Sequence, residues 1–264
     1  MKLGFIGCGN MAKAIIKGIV SSGMLNVNDI IVSCKSASSR ENVRETLGVQ
    51  IAENNKEVVE QADMIVLAVK PQFYEDVITE IRRTVQEDQV LITLAPGKTL
   101  TWLEKQFKKP TKIVRTMPNT PAMVLEGMTA ACANEYVTEE ELAYVCEILK
   151  SFGDVEVIPE KLIDAVVSVS GSSPAYVYMM IEAMADAAVA EGMPRQQAYK
   201  FAAKAVLGSA KMVLDTGKHP GELKDMVCSP GGTTIEAVKV LEETGFRGSL
   251  MQAMKVCAEK SRNM

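Results

Sequence analysis

The stretch from Leu3 to Ala12 constrains the fold most strongly, because it joins a short apolar strand to a glycine pattern. Residues 3–6 suit a buried parallel strand, and residues 11–21 have the spacing of an amphipathic helix. Between them, Gly7, Gly9 and Ala12 follow the pattern G-x-G-x-x-A. The glycines permit a tight turn and a close approach of backbone N–H groups to a pyrophosphate, and the small third residue lets the helix pack closely. The pattern predicts a dinucleotide site, with a chance glycine-rich turn as the alternative.

Apolar strand-like segments alternate with helical ones through the first 159 residues. We expect strands at residues 3–6, 29–34, 49–51, 64–69, 90–94, 112–116, 128–132 and 155–158. This alternation predicts an α/β fold with a Rossmann-like, doubly wound parallel sheet covered by helices on both faces. In such a sheet the ligand crevice lies at the carboxyl ends of the strands.

The strand pattern stops near residue 160. Helices are predicted at residues 161–192, 194–215, 221–227, 234–243 and 246–262, punctuated by glycine stops and proline starts. We therefore expect two domains: a dinucleotide-binding domain at residues 1–159 and an all-helical domain for dimerisation and substrate binding at residues 160–264.

The first helix of this second domain is apolar almost all round from residue 175 to 190, interrupted only by Glu182 and Asp186. The run is too short and too interrupted for a membrane span. A helix that is apolar on every side needs partners on every side, so we expect a second subunit to cover it. Glu182 and Asp186 are then either buried at the interface or site, or on a narrow solvated stripe.

Composition narrows the class of partner. A formal net charge of −4 and a single His leave no basic field for nucleic acid, which favours a small-molecule ligand. The six cysteines show no C-x-x-C pair and no metal-ligand spacing, so we expect reduced thiols, no metal site and a cytoplasmic protein. The first apolar run is already a strand of the fold, which argues against a signal peptide.

The end of the second predicted strand bears on cofactor choice. A carboxylate at this place usually holds the ribose 2'-hydroxyl of NADH, but residues 33–40 contain none. They offer hydroxyls and cations instead, including Ser33, Lys35, Ser36 and Arg40, which suit a 2'-phosphate. We therefore expect NADPH in preference to NADH, the alternative being a solvated polar loop.

Three further strand ends carry rigid loops. Lys70-Pro71 follows the fourth strand, Ala95-Pro96-Gly97 the fifth, and a segment with Asn119 the sixth. Proline stops a strand and glycine permits close backbone approach, so these loops are expected to form a wall beside the nicotinamide.

A second glycine-rich loop precedes a helix in the second domain. Ser229, Gly231, Gly232 and Thr233 lead directly into the helix expected to begin at Thr234. This is a further cradle of N–H groups at a helix N-terminus, suited to a small anion such as a carboxylate. The threonines have an alternative role as the helix cap.

Five motifs together resemble one family, pyrroline-5-carboxylate reductase, over nearly the whole chain. They are Gly7-Cys-Gly-Asn-Met11, Val69-Lys-Pro71, Arg115-x-Met-Pro-Asn-Thr-Pro-Ala122, Ser170-Gly-x-x-Pro-Ala-Tyr176, and residues 223–242 with Ser-Pro-Gly-Gly-Thr-Thr. The resemblance implies NAD(P)H-dependent reduction of 1-pyrroline-5-carboxylate to L-proline, the last step of proline biosynthesis. It also implies a homodimer interlocked through the helical domains, which in some members assembles into a pentamer of dimers.

The resemblance also implies the site residues. Substrate binding falls on Ser229, Gly231, Gly232, Thr233 and Thr234, with the Thr234 hydroxyl near the imine nitrogen. Cofactor contacts fall on a larger set: Gly9, Asn10, Met11, Ser33, Lys35, Asn55, Ala68, Lys70, Ala95 and Asn119. The chain departs from many relatives at Pro96 and Lys98, in the loop after the fifth strand. It also departs at Ser173, whose role we do not assign.

Two other function classes remain open. One is a different reductase on the same two-domain plan, either another imine reductase or a beta-hydroxyacid dehydrogenase; these enzymes place a Lys or Asp proton donor on the helix that contains residues 175–190. The other is a non-catalytic sensor of a pyridine nucleotide or pyridoxal phosphate. The lone His219 precedes a proline at a helix start, which favours a structural role over general-base catalysis.

Overall fold

The computed structural model describes residues 1–263. Contacts divide the chain into two units: Met1–Gly171 together with the end of the last helix from Cys257, and Ser172–Val256. The boundary expected between residues 159 and 160, and the functions expected for the two domains, stay predictions.

An eight-stranded sheet forms the centre of the first unit. Its strands are β1 (Leu3–Ile6), β2 (Ile30–Ser33), β3 (Gln50–Ile51), β4 (Met64–Leu67), β5 (Val90–Thr93), β6 (Lys112–Met117), β7 (Gly127–Ala133) and β8 (Gly153–Val157). They lie in the order β3-β2-β1-β4-β5-β6-β7-β8. The order reverses direction beside β1, which places a ligand crevice there at the carboxyl ends of the strands.

The sheet is not fully parallel, which corrects the sequence-based expectation. Strand β7 runs antiparallel to β6, while the other neighbours are parallel. The connection between them is a short 3₁₀ turn, Thr120–Val124, followed by Leu125 at a φ of 63°. A parallel crossover needs a longer connection, usually a helix, so this short return forces the antiparallel pairing.

Helices cover both faces of the sheet. They are α1 (Asn10–Ser21), α2 (Ala37–Leu47), α3 (Asn55–Gln61), α4 (Tyr74–Ile81), α5 (Leu100–Phe107), α6 (Glu139–Lys150) and the short α7 (Ile163–Val166). Two apolar clusters result, one on each face, and all four residues of β1, β2, β4 and β5 are buried. Burial on both faces explains why these strands are continuous apolar runs rather than alternating ones.

The second unit is helical. It contains α8 (Ser173–Ala190), α9 (Arg195–Thr216), α10 (Pro220–Met226), α11 (Thr233–Glu243) and most of α12 (Phe246–Arg262). The single helix expected at residues 161–192 is wrong: α7 is followed by a π-helical turn, Val167–Gly171, before α8 begins. Pro174 lacks an N–H to bond back to a preceding turn, so it starts a new helix instead of continuing one.

Large apolar side chains are exposed along the helices of the second unit. Tyr178 and Met179 on α8, Phe201 and Leu214 on α9, and Met251 on α12 are 60% to 78% exposed in the single chain. Within residues 1–263, no helix combines the length and the apolar character that crossing a membrane would require.

The two carboxylates of α8 are also exposed in the single chain. Asp186 forms an ion pair with Arg195 of α9, whose guanidinium also lies 5.6 Å from the centre of the Tyr199 ring. The Asp186 carboxylate is therefore held within its own unit.

Candidate active site

The glycine turn after β1 has the geometry that a dinucleotide requires. Gly7 has a φ of +88°, and a Cβ at this position would lie 2.8 Å from Val69 Cγ1, so the fold itself requires glycine. Gly9 is different, because a Cβ there would meet no atom within 4 Å. Gly9 is also the N-cap of α1 and supplies no side-chain cap. The turn thus leaves open space at the first amides of a helix, where a pyrophosphate would fit.

A cleft of about 620 Å³ opens at this turn. It is bordered by the carboxyl ends of β1, β2 and β4 and by the start of α4, as the sheet topology requires. The structure brings together seven of the residues expected to contact the cofactor: Gly7, Gly9, Ser33, Lys35, Asn55, Ala68 and Lys70.

One end of the cleft carries cations and hydroxyls. Lys35 is exposed, and its Nζ lies 5.4 Å from the centre of the Phe73 ring. Arg40 donates from Nε to the Cys34 carbonyl at 3.0 Å, which holds its guanidinium at the cleft wall. Ser36 caps α2 by accepting from the Ser39 amide at 3.1 Å. Ser36 does not line the cleft itself but stands at the helix start beside it.

Another part of the lining combines the expected Asn55 with Phe73 and Glu80, which the sequence did not predict. Asn55 accepts from Ser33 Oγ at 2.7 Å and donates to Glu80 Oε2 at 2.7 Å, which fixes the amide between two cleft residues. Phe73 and Glu80 also line the cleft. One feature of the sequence could have pointed to Phe73: it is a large apolar residue that follows the Lys70-Pro71 turn at the start of a helix.

Other expected cofactor residues lie outside the walls of this cleft. Asn10 and Met11 are the first residues of α1, and Pro71 starts a 3₁₀ turn after β4. Ala95 is buried, with 3% of its surface exposed, and Gly97 has a φ of +75°. The roles of these residues as cofactor contacts stay predictions.

Both ends of the Asn119 side-chain amide form hydrogen bonds with backbone groups. Its Oδ1 accepts from the Met128 amide at 2.9 Å, and its Nδ2 donates to the Ser170 carbonyl at 3.2 Å. These bonds already orient the side chain. Its role as a cofactor contact also stays a prediction.

The thiols at the cleft are not nucleophiles at neutral pH. Burial, and then the proximity of Cys34, raises the pKa of Cys8 to about 12, with Lys13 opposing the shift. Burial raises the pKa of Cys34 as well. Within residues 1–263 none of the six cysteines forms a disulfide, and both cleft thiols remain protonated.

The glycine-rich loop of the second unit also ends in an open helix N-terminus. Gly231 has a φ of +68°, which favours glycine, and a Cβ on Gly232 would lie 2.4 Å from Ser229 Oγ, so that hydroxyl would have to turn away. The N-cap of α11 is Gly232, without a side-chain cap, and the helix begins at Thr233. The alternative in which a threonine caps this helix is therefore wrong. Thr233 is exposed and Thr234 half-buried in the first turn.

His219 is the N-cap of α10. Its Nδ1 accepts from the Gly221 amide at 3.1 Å. This confirms the structural role expected for the only imidazole of the chain. Within the described residues, no group of three or more His, Cys, Asp or Glu side chains is placed to hold a metal ion.

Comparison with known proteins connects both units to one family. Residues 160–264 match a family model described as pyrroline-5-carboxylate reductase dimerisation, and residues 2–97 match one described as NADP oxidoreductase coenzyme F420-dependent. The chain is 54% identical over 263 residues to pyrroline-5-carboxylate reductase of Escherichia coli (strain K12), covering 100% of this chain and 98% of that protein.

Solved structures agree. A pyrroline-5-carboxylate reductase from Coxiella burnetii superposes with a TM-score of 0.92 at 34% identity, covering 99% of this chain and 97% of that one. The Plasmodium falciparum pyrroline carboxylate reductase with NADP bound superposes with a TM-score of 0.91 at 32% identity, covering 100% and 97%. With these full-length matches, the chain belongs to the pyrroline-5-carboxylate reductase family.

Proposed function

We propose that this protein reduces 1-pyrroline-5-carboxylate to L-proline with NADPH as the hydride donor, the last step of proline biosynthesis. The observation that carries this conclusion is the full-length match to a named reductase, which includes both glycine-rich loops. A beta-hydroxyacid dehydrogenase is less well supported, because α8 contains no lysine to serve as its proton donor and its one aspartate, Asp186, is paired with Arg195.

The residues of the first unit fit a dinucleotide. The N–H groups at the start of α1 would hold the pyrophosphate, and the open space at Gly9 admits it. When bound, the reduced cofactor supplies the hydride. The exposed Lys35 and the hydroxyls around Ser36 would pair with a 2'-phosphate, so we expect NADPH to be preferred and NADH to remain usable.

The first turn of α11 would hold the substrate. A carboxylate is attracted to the positive end of a helix, and the amides from Gly231 to Thr233 would bind it. The Thr234 hydroxyl would hydrogen-bond the ring nitrogen. Protonation makes the cyclic imine an iminium, and hydride addition at its ring carbon then gives the amine, so the protein contributes mainly orientation.

The protein acts as a homo-oligomer, and we propose that the helical unit forms a homodimer. The exposed apolar side chains of α8 and α9 support this assignment, as does the match to a dimerisation model. Assembly into a pentamer of dimers and a cytoplasmic location are further parts of the proposal.

The direct test follows NADPH absorbance after addition of pyrroline-5-carboxylate, and then repeats the assay with NADH. We expect oxidation of both cofactors, faster with NADPH, and stoichiometric L-proline. A folded sample that binds NADPH but oxidises neither cofactor would show that the substrate is wrong.

A variant tests the assigned hydroxyl. Thr234→Ala should lower kcat by roughly 10- to 100-fold, because one positioned hydrogen bond to the reacting ring is lost, while the Kd for NADPH stays unchanged. Thr244→Ala, which removes a threonine hydroxyl at the other end of α11, serves as the control. Unchanged turnover in Thr234→Ala would refute the role.

A further inference from the structure

One buried hydroxyl joins the ends of two central strands. Tyr74, at the start of α4, is 1% exposed. Its Oη donates to the Leu67 carbonyl at the end of β4 (2.6 Å) and accepts from the Leu94 amide just after β5 (3.2 Å). Burial raises the pKa of Tyr74, so the phenol stays protonated and keeps its donor. The hydroxyl therefore fixes the point at which the chain leaves β5.

A carboxylate fixes the point at which the same loop ends. Glu160 Oε1 accepts from the Leu100 amide, the first residue of α5, at 2.7 Å. The same oxygen accepts from Arg115 Nη1 at 2.7 Å, and the Arg115 side chain is only 4% exposed. A buried guanidinium needs a partner, so Arg115 in turn holds Glu160 in place.

The loop between these two anchors is residues 95–99. Inside it, Gly97 has a φ of +75°, and Thr99 caps α5 by accepting from the Trp102 amide at 3.1 Å. The loop thus has a defined shape, and both of its ends are tied to side chains from distant parts of the first unit.

The sheet topology decides which part of the cofactor this loop borders. The pyrophosphate position is at the β1 turn, and the cations and hydroxyls that suit the adenosine phosphate follow β2. A dinucleotide would extend in both directions along the carboxyl edge of the sheet, so its nicotinamide half would lie over β4 and β5. Residues 95–99 follow β5 directly.

We propose that Tyr74 and Glu160 are positioning residues that hold the 95–99 loop against the nicotinamide half of the cofactor. This inference rests on the proposed function for the reaction it serves. Hydride transfer is sensitive to misplacement of about 1 Å, so loosening the loop should reduce turnover more than it reduces binding of the adenosine half.

The test compares two ligands on the full-length protein. NADPH spans both halves of the site, whereas 2',5'-ADP occupies only the adenosine half. For Tyr74→Phe we expect an unchanged Kd for 2',5'-ADP, a several-fold higher Kd for NADPH and a roughly tenfold or larger loss of kcat. Glu160→Gln keeps an acceptor for the Leu100 amide but removes the charge opposite Arg115, and should shift the same quantities in the same direction.

Matched controls come from the same unit. Tyr136→Phe removes a hydroxyl from an exposed tyrosine. Glu141→Gln breaks the ion pair with Lys112, which lies at the opposite end of β6 from the loop. Both controls should leave kcat and both Kd values unchanged.

Two results would overturn the proposal: equal weakening of NADPH and 2',5'-ADP, which indicates a purely structural role, or no change in NADPH binding and kcat. If Tyr74→Phe does not fold, Glu160→Gln carries the same test. If the wild type binds NADPH but does not reduce pyrroline-5-carboxylate, the proposed function fails while the binding comparison still decides the positioning role.

Discussion

The two units of this chain bury their side chains to very different extents. In the first, every residue of the four central strands is buried, and large side chains such as Phe5, Tyr74 and Phe107 are almost fully enclosed. In residues 172–256, the buried apolar side chains are three alanines, Ala185, Ala198 and Ala202. The first unit, called the nucleotide unit after its proposed ligand, thus completes its own core, whereas the helical unit leaves large apolar side chains exposed, as the proposed homodimer would require.

The difference has an energetic meaning. Enclosing a large apolar side chain contributes roughly 1.5–3 kcal/mol, and the helical unit leaves many such groups exposed in the single chain. Its folded state should therefore depend on association, and the nucleotide unit should depend on it much less.

The largest expected effect comes from a substitution in the proposed subunit interface of the helical unit. Phe201→Asp places a charge on α9 where we expect a subunit interface, so it should cost several kcal/mol in the free energy of unfolding. Urea unfolding followed by circular dichroism measures this. Val124→Asp changes a residue of similar exposure in the first unit and should cost less than about 0.5 kcal/mol. Equal losses of stability in both variants would contradict a subunit interface on α9.

The two glycines of the β1 turn separate folding from binding within the first unit. Gly7→Ala should destabilise the protein by about 1–3 kcal/mol, because φ is positive and Val69 is too close. Gly9→Ala should cost less than about 1 kcal/mol in stability but weaken NADPH at least about tenfold, because its Cβ fills the space for the pyrophosphate. Thermal unfolding and calorimetric titration measure the two effects. Tight NADPH binding by Gly9→Ala would contradict the assigned cradle.

A charge at the cleft should affect cofactor choice alone. Lys35→Ala removes a cation expected to bind the 2'-phosphate, so the KM for NADPH should rise roughly tenfold while the KM for NADH is unchanged. Lys17→Ala, at an exposed lysine of α1, is the control. If both cofactors lose affinity equally, Lys35 does not recognise the phosphate.

The smallest effect concerns pH and a local interaction of the first unit. The pKa of Glu141 lies below its usual value of 4.5: burial acts to raise it, but hydrogen bonds from Lys112 and Thr138 outweigh burial. Its contribution, about 1 kcal/mol, is therefore full above pH 4.5 and is lost as the pH falls through the lowered pKa. Glu141→Gln should destabilise at pH 7 and match the wild type near pH 2. A difference that persists in acid would show that the carboxylate charge is not responsible.

The sequence predicted the nucleotide unit well because its signals are local. An apolar strand, a glycine turn and a helix follow one another within residues 3–21, and the strands expected at residues 3–6, 29–34, 64–69 and 90–94 are all buried. The direction of β7 was missed because strand propensity does not report direction. A short 3₁₀ return decides it.

The site was predictable only where a loop directly follows a strand. Ser33, Lys35 and Lys70 line the cleft because strand ends place them there. Glu80 lines it through the orientation of α4 and Phe73 through the 3₁₀ turn before that helix, and both depend on how α4 packs against the sheet. In the second unit the helix cap fell on Gly232 rather than on a threonine, because the backbone turn, not the side-chain preference, sets where α11 begins.

The most direct test of the contrast between the units is the mass of the wild-type protein by sedimentation equilibrium at micromolar concentration. A chain has a mass of 28.6 kDa. We expect a dimer or a multiple of dimers, with the helical unit losing stability on dilution before the nucleotide unit does. A stable, fully active monomer would contradict it, because the apolar faces of α8 and α9 would then need no second copy.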